Sequence, residues 1–421
     1  MRLVRPFRGL RPAPEFAARV ASPPYDVLSR EEALEMARGS QFSFLHINKP
    51  EIDVDPAIDA HDRIVYARGR ANLDRFIDSG VLVRDEANSF YVYRQIMGDH
   101  VQAGLAALAS LEAYAQGLVK KHELTRPPKV YDRVSHMHAL GAQVGPVFVT
   151  YRAQKSVDEL IADTTGEEPE YDFTADDGIR HTFWAVSQAE RVIEFQAALD
   201  ELPALYVADG HHRSEAAAKL RETLSLFIPR RTGTSAWDWF LVVMFPHDQI
   251  KILDYNRVVR DLNGLAAGDF LQKLERDFEL TEVEAGDAKP AQPREFALYL
   301  GKHPDGRWLR LRPRQAVLDS LEDKSASDRL DVALLQDWVF APLLGIMDQR
   351  TDERVDFVGG IRGLEELERK VDSGAWSAAF ALYPTSMESL MEVADSGGVM
   401  PPKSTWFEPK LRSGLVSHVL D

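Results

Sequence analysis

Five consecutive residues, Asp209-Gly210-His211-His212-Arg213, concentrate more chemistry than any other stretch of this 421-residue chain. They follow an apolar run of strand type, Leu205-Tyr206-Val207-Ala208, and precede Ser214, Glu215 and an alanine-rich segment, ending near Leu224, that favours helix. A strand that enters a helix through a glycine turn aims unpaired backbone N–H groups and the positive end of the helix dipole at one point. Such a point seats a phosphate or a carboxylate, and His211, His212 and Arg213 stand there as donors. A metal held by both histidines is disfavoured, because adjacent side chains diverge on a strand and splay by about 100° on a helix. Asp209 alone suits a magnesium ion accompanying a nucleotide, or holds the turn. The competing reading is a hydrogen-bonded structural turn with Asp209 as helix cap.

Three distant stretches offer companions. Pro23-Pro24 stiffens the chain before Tyr25 and Asp26, and Ser29 with Glu32 spells a capping box behind them. The segment from Val119 to Arg133 is basic in an otherwise acidic chain and places His122 and Glu123 among Lys120, Lys121, Arg126 and Lys129, around Pro127-Pro128. Near the end, Met400-Pro-Pro-Lys-Ser-Thr405 carries Lys403, Ser404 and Thr405 in a rigid setting free of acids. Gly397 to Ser404 almost spells a phosphate-binding P-loop, but Pro401 and Pro402 lack the N–H groups such a loop needs, so Lys403 stays only as an anion ligand. No Gly-x-Gly-x-x-Gly links a strand to a helix, so a Rossmann site is not supported. Asp26 and Glu123 are the two carboxylates available as a general base, and the residues alone do not rank them.

The elements around these stretches follow from periodicity and turn residues. A strand-like run covers Phe42 to Ile47 around His46, and a helix covers Ala57 to Ser79. A hairpin joins Ser89–Arg94 to Val101–Leu111 through Gly98-Asp99. Ser135 to Gln143 reads as helix, Val147 to Tyr151 as strand, and Asp158 to Glu170 as an acidic surface excursion. Asp176 to His181 forms a turn into the strand Thr182–Val186, and Ser187–Leu199 is a helix. A loop over Pro229–Ser235 precedes the strong strand Trp239–Phe245, and Ile250–Val259 is a strand with a polar insert. A domain boundary is expected between Asp261 and Asp269, giving domains of 1–262 and 263–421. The second contains a hairpin turning at Pro304-Asp305-Gly306 and a helix over Leu330–Leu344, and it sends Met400–Thr405 back to the site. The fold class is α+β, or mixed α/β.

Composition bounds the function. With 50 basic and 66 acidic residues the net charge is −16, which disfavours a nucleic-acid partner. The absence of cysteine excludes disulfides, thiolate metal sites and a cysteine nucleophile, and fits a reducing compartment. No run approaches the roughly 18 apolar residues of a membrane span. Arginines at 2, 5, 8, 11 and 19, with no acid before Glu15, have the charge of a transit peptide, but Pro6, Pro12 and Pro14 spoil its helix. A cytoplasmic protein is expected.

The whole chain resembles the bacterial and archaeal family known as domain of unknown function 1015. The resemblance rests on Pro23-Pro24-Tyr25-Asp26-Val27, Ser43-Phe44-Leu45-His46, His122-Glu123 with Asp132-Arg133, Asp177-Gly178 with His181, Asp209 to Arg213, Pro342-Leu343-Leu344-Gly345 and Met400 to Thr405. At Leu253-Asp-Tyr-Asn-Arg257 it departs from an expected Pro-Thr-His-Arg, Asp254 and Asn256 standing for Pro and His. Within the family pattern, Asp209 to Arg213 is similar to the turn of the ParB/sulfiredoxin superfamily, which binds nucleotide phosphate and some of whose members phosphorylate free serine. The resemblance thus implies a ParB/sulfiredoxin-like nucleotide-binding core with large insertions plus a smaller C-terminal domain. It also implies ATP or ADP with magnesium as cofactor. Gly210, His211, His212, Arg213, Arg133, Lys403, Ser404 and Thr405 become phosphate or nucleotide ligands. Asp26, Glu123 and His212 become catalytic, with Tyr25, His122 and His181 as further candidates. The expected activity is a phosphotransferase acting on a small hydroxyl compound, serine first. Hydrolysis of a phosphate ester or nucleotide at the same anion site, and nucleotide sensing without turnover, are the alternatives.

Overall fold

A computed structural model describes residues 1–226, 235–301 and 307–421. The chain divides into two compact units, Met1–Ile250 with Pro409–Asp421, and Lys251–Glu408. The division falls earlier than the expected boundary between Asp261 and Asp269, and the segment that rejoins the first unit is Pro409–Asp421, whereas Met400–Thr405 belongs to the second. Ile250–Val259 looks continuous in sequence but is two strands, Lys251–Leu253 and Tyr255–Val259, parted at Asp254, and both lie in the second unit.

The first unit is built on a mixed nine-stranded sheet. Its strands are β1 (Val4–Arg5), β2 (Phe90–Met97), β3 (His100–Ser110), β4 (Val119–Lys120), β5 (Val147–Tyr151), β6 (Tyr171–Thr174), β7 (Arg180–Val186), β8 (Leu205–Asp209) and β9 (Trp239–Pro246). They lie in the order β4-β8-β5-β9-β3-β2-β7-β6, with β1 beside β3. The β4–β8 and β5–β9 pairs are parallel and the others antiparallel. One register row crosses the sheet through Val207, Val149, Met244, Leu105, Val92 and Trp184. All six are buried in one apolar cluster with Val157 and Ile161, Phe195 and Leu199, and Ala216 and Leu220, which come from three helices. Burying side chains of this size stabilises by about 2 kcal/mol each, so this layer fixes where β8 ends.

The alternating strands and the Phe90–Met97/His100–Ser110 hairpin form where the pattern puts them, and the Ser29–Glu32 capping box is complete. Four local readings differ from the structure. Phe42–Ile47 is not a strand: Leu45–Asn48 is a helical turn. The helix expected from Ala57 begins at Arg63, behind the cap Asp62. Lys155–Thr164 is a helix where an acidic surface excursion was expected, because Val157, Ile161 and Thr164 fall on one buried face despite the acids between them. The helix expected from Ser135 already begins at Pro127 and runs to Leu140, since proline suits the first helical turn, where an N–H is unpaired anyway. The Pro229–Ser235 loop, but for Ser235, and the Pro304–Gly306 turn lie outside the described residues.

The second unit holds a six-stranded antiparallel sheet. Its strands Tyr255–Val259 (β10), Phe278–Val283 (β11), Phe296–Tyr299 (β12), Trp308–Pro313 (β13), Val355–Gly359 (β14) and Ala378–Leu382 (β15) lie in the order β11-β13-β12-β15-β10-β14. The helix expected over Leu330–Leu344 is Asp331–Leu335 followed by a wider π-type turn, Gln336–Phe340. The α+β class is therefore seen in both units. No helix among the described residues is long and apolar enough to cross a membrane.

Candidate functional site

The end of β8 is irregular. Its register against β5 shifts between Val207 and Asp209, a bulge that re-aims Asp209. Gly210 follows with φ of 100°, a backbone state that costs other residues strain, and is the N-cap of the helix His211–Ser225. His211, His212 and Arg213 thus occupy its first turn, whereas helix was expected to begin only at Ser214. No side chain caps this end, so the N-terminal N–H groups and the helix dipole face outward from the turn.

Arg213 is 6% exposed, and its guanidinium lies under Gly210, where a Cβ would meet Nε at 3.1 Å. One terminal nitrogen donates to Pro146 O. The other faces two carboxylates, Asp26 Oδ2 at 3.6 Å and Asp209 Oδ1 at 4.0 Å, and the buried Nε has no hydrogen-bond partner. Burial alone would lower the Arg213 pKa, but Asp26 and Asp209 more than reverse this and hold the group charged. Asp209 shows the complementary balance. Burial opposes its ionisation, yet Lys410, with Nζ 3.2 Å from Oδ2, and Arg213 keep it well below the ordinary carboxylate range.

The histidines are held neutral. His122 and His211 are buried edge to face, with ring centroids 4.4 Å apart. The His122 backbone N–H donates to His211 Nε2 at 3.4 Å, which leaves the His211 proton on Nδ1, 3.6 Å from Glu123 Oε2. Burial pushes His211 well below its usual value and lowers His122 to about 4. His122 Nδ1 is also buried with no hydrogen-bond partner. The Arg126 backbone N–H donates to His212 Nε2 at 3.0 Å, so His212 too carries its proton on Nδ1, and burial, with Lys129 nearby, lowers its pKa.

Of the residues singled out in the sequence, Asp26, His122, Glu123, Asp209, Gly210, His211, His212 and Arg213 come together here. Tyr25 stands behind Asp26 on the short turn Tyr25–Val27, entered from an extended Pro24. Arg133 does not present its donors to the seat. Its guanidinium stacks 3.9 Å above the Tyr25 ring and is gripped by Asp132 at 2.5 and 2.7 Å, which makes it a brace for Tyr25. Burial, together with Asp26, raises Tyr25 to about 12 against the pull of Arg133. His181 belongs to another buried cluster, with Tyr93 OH at 2.7 Å from Nδ1 and Arg412 Nε donating to Nε2 at 3.3 Å. Lys403, Ser404 and Thr405 lie in the second unit. There the Ser404 hydroxyl donates to Pro401 O at 2.6 Å, and Lys403 Nζ lies 5.5 Å from the Tyr255 ring centre. Magnesium is not favoured at Asp209, whose two oxygens face Lys410 and Arg213, a cationic setting that repels a divalent ion. Among the described residues no group of three or more His, Asp or Glu is placed to hold a metal.

Two contributors were missed. Pro146 supplies a carbonyl to Arg213 from the bend before β5, and Lys410 reaches Asp209 across 201 positions of sequence. Only the fold shows either, since a lysine in Pro409-Lys-Leu-Arg412 has no local mark of function.

Comparison with known proteins gives the family. The chain belongs to the family described as protein of unknown function DUF1015, which it matches over residues 4–333. The match takes in the whole seat except Lys410. No curated protein matches the chain. Solved structures similar to it include a free serine kinase in complex with AMP, at 13% identity and a TM-score of 0.35, covering 74% of this chain and 91% of that one. A conserved hypothetical protein from Pyrococcus furiosus is similar at 15% identity and a TM-score of 0.34, covering 76% and 97%. SbnI from Staphylococcus aureus, truncated at its C-terminus, is similar at 13% identity and a TM-score of 0.36, covering 74% and 86%.

Proposed function

We propose that the end of β8 binds the phosphates of a nucleotide and transfers one to a small hydroxyl compound. One observation carries the reading: an uncapped helix N-terminus behind a left-handed glycine, with the buried Arg213 only partly engaged and carboxylates on either side. A structural turn would satisfy that guanidinium; a phosphate site leaves it donors to give. In this reading ATP or ADP places its phosphate oxygens on the N–H groups of the first helical turn, on Arg213 and on the Nδ1–H of His211 and His212.

Asp26 is the general base of this proposal. The stiff Pro23-Pro24 approach and Arg213 hold it, whereas the Glu123 side chain is 52% exposed. Asp26 takes the proton of the substrate hydroxyl as its oxygen attacks phosphorus, and the bond from phosphorus to the departing nucleotide oxygen breaks. Serine is the substrate to try first, on the likeness of the Asp209–Arg213 turn to the ParB/sulfiredoxin type.

Phosphorus NMR of the full chain with ATP or ADP, magnesium and a panel of hydroxyl compounds tests this. A new phosphomonoester is expected. Free phosphate alone assigns hydrolysis instead, and unchanged but bound nucleotide assigns sensing. Asp26→Asn should lower turnover by about 10²- to 10⁴-fold with little change in nucleotide affinity, and Glu123→Gln should have the smaller effect. The reverse ranking moves the base to Glu123.

A further inference from the structure

The arginines that crowd the start of the chain are absorbed by nothing above. Arg2, Arg5 and Arg8 meet Arg84 around an open pocket of about 380 Å³ in the first unit, whose wall also includes His418 and Asp421. It shares no lining residue with the seat at Arg213. Strand β1 delivers Arg5, and the strand pair Leu10–Pro12/Leu82–Arg84 brings Arg84 to the same wall.

The four arginines are not equally paired. Arg2 is paired with Asp200 at 3.0 Å, and Arg84 forks onto the Asp421 carboxylate. Arg8 donates its Nε to the uncharged Asp85 carbonyl at 2.9 Å. Arg5 stacks 4.4 Å from the Trp239 ring, and the acid whose field it feels, Asp238, is already engaged by Arg221 at 2.9 Å. Of the four guanidinium groups, those of Arg2 and Arg84 have a carboxylate in an ion pair, and those of Arg5 and Arg8 do not. The buried Nε groups of both Arg5 and Arg84 have no hydrogen-bond partner. His418, 5% exposed, has Nε2 on Ala236 O at 2.9 Å and burial keeps it neutral, so it neither adds to nor cancels the charge of the arginines.

Converging guanidinium groups repel one another, and a fold retains them where an anion relieves the repulsion. The guanidinium fork matches the oxygens of phosphate. We infer that the pocket between Arg5, Arg8 and Arg84 is a second anion site that takes a small doubly charged phosphate, free or as a monoester. The site does not depend on the phosphotransferase reading.

Calorimetric titration of the full chain with inorganic phosphate tests it, with O-phosphoserine as a second probe to separate the free ion from a monoester. Phosphate binding is expected to survive Arg213→Ala and to weaken at least tenfold in Arg5→Gln. Should Arg5→Gln fail to fold, Arg8→Gln, which removes one hydrogen bond to a backbone carbonyl, serves in its place with a loss of about threefold or more. Phosphate affinity unchanged in these variants, or lost in Arg213→Ala alone, overturns the second site. A phosphotransferase that shows no such binding overturns only this inference.

Discussion

Two of the buried arginines among the described residues, Arg257 and Arg213, are treated oppositely. Arg257, on β10 in the second unit, is engaged through every nitrogen of its guanidinium. It donates to the Tyr255 carbonyl, to Pro402 O at 3.2 Å, to Lys403 O at 3.0 Å and through Nε to Gln349 Oε1 at 3.3 Å. Arg213, in the first unit, has one carbonyl, an unpartnered Nε and two carboxylates at ion-pair distance. Burial depresses Arg257, while Asp26 and Asp209 hold Arg213 charged. A guanidinium surrounded by neutral carbonyls holds backbone together; one left with open donors and flanking acids is the arrangement that the proposed phosphate site requires. The contrast also accounts for the sequence departure at 254–257. Asn256 donates to Asp254 at 2.6 Å and accepts from Leu382 N at 3.0 Å, so the residue standing where a histidine was expected is part of the framework.

The strongest way to break this contrast is to truncate both arginines. Arg257→Ala strands three backbone carbonyls and should lower the unfolding free energy of the second unit by about 3–5 kcal/mol in urea. Arg213→Ala should cost about 1 kcal/mol of stability while weakening ADP binding by about 10- to 100-fold. If Arg213→Ala is the more destabilising and leaves affinity intact, the assignment of roles is reversed.

Acid should separate the units next. His122 is lowered to about 4, His136 to about 3, His181 to about 3 and His418 to about 4, all in the first unit and all chiefly by burial. The native state refuses protons that the unfolded chain accepts below about 6.5, so stability is complete above that pH and falls as pH drops toward 4. Each such histidine contributes about 1.4 kcal/mol per pH unit in that window. His46, raised by its hydrogen bond to Asp53, works the other way and offsets part of one of them. The second unit has a single histidine, at position 303, so its unfolding midpoint should move less. Urea melts at pH 7 and pH 5, read with unit-specific probes, check this, and equal shifts would remove the distinction.

The smallest change is Gly210→Ala. A side chain at φ of 100° costs about 1–2 kcal/mol, and its Cβ would press on Arg213 at 3.1 Å. Calorimetry should therefore show affinity for ADP falling further than stability. Equal losses would make Gly210 a purely conformational residue.

How much of this was legible in sequence followed the range of the interactions. The strand, turn and helix around Asp209 are local, set by an apolar run, a glycine and alanines, and they read correctly except for where the helix starts. Asp26, His122 and Glu123 stood out through proline stiffening and charge contrast, and they do gather at the seat. Arg133 was misjudged because a basic residue near a site looks the same whether it faces a ligand or braces a tyrosine. Leu45–Asn48 was misjudged because one helical turn is too short to show a period. Lys410 left no trace, since its meaning arises only when Pro409–Asp421 rejoins a unit begun hundreds of residues earlier.

That return has a consequence for biosynthesis. The unit bearing the seat is discontinuous, with Lys251–Glu408 inserted between its parts. On a ribosome, Asp209 and Arg213 emerge long before the ammonium group that pairs with Asp209, and the seat stays incompletely neutralised until Pro409–Asp421 leaves the exit tunnel. Pairing of Asp209 with Lys410 therefore waits until the whole of Lys251–Glu408 has been made, and a chain arrested within that insert leaves Asp209 without its lysine.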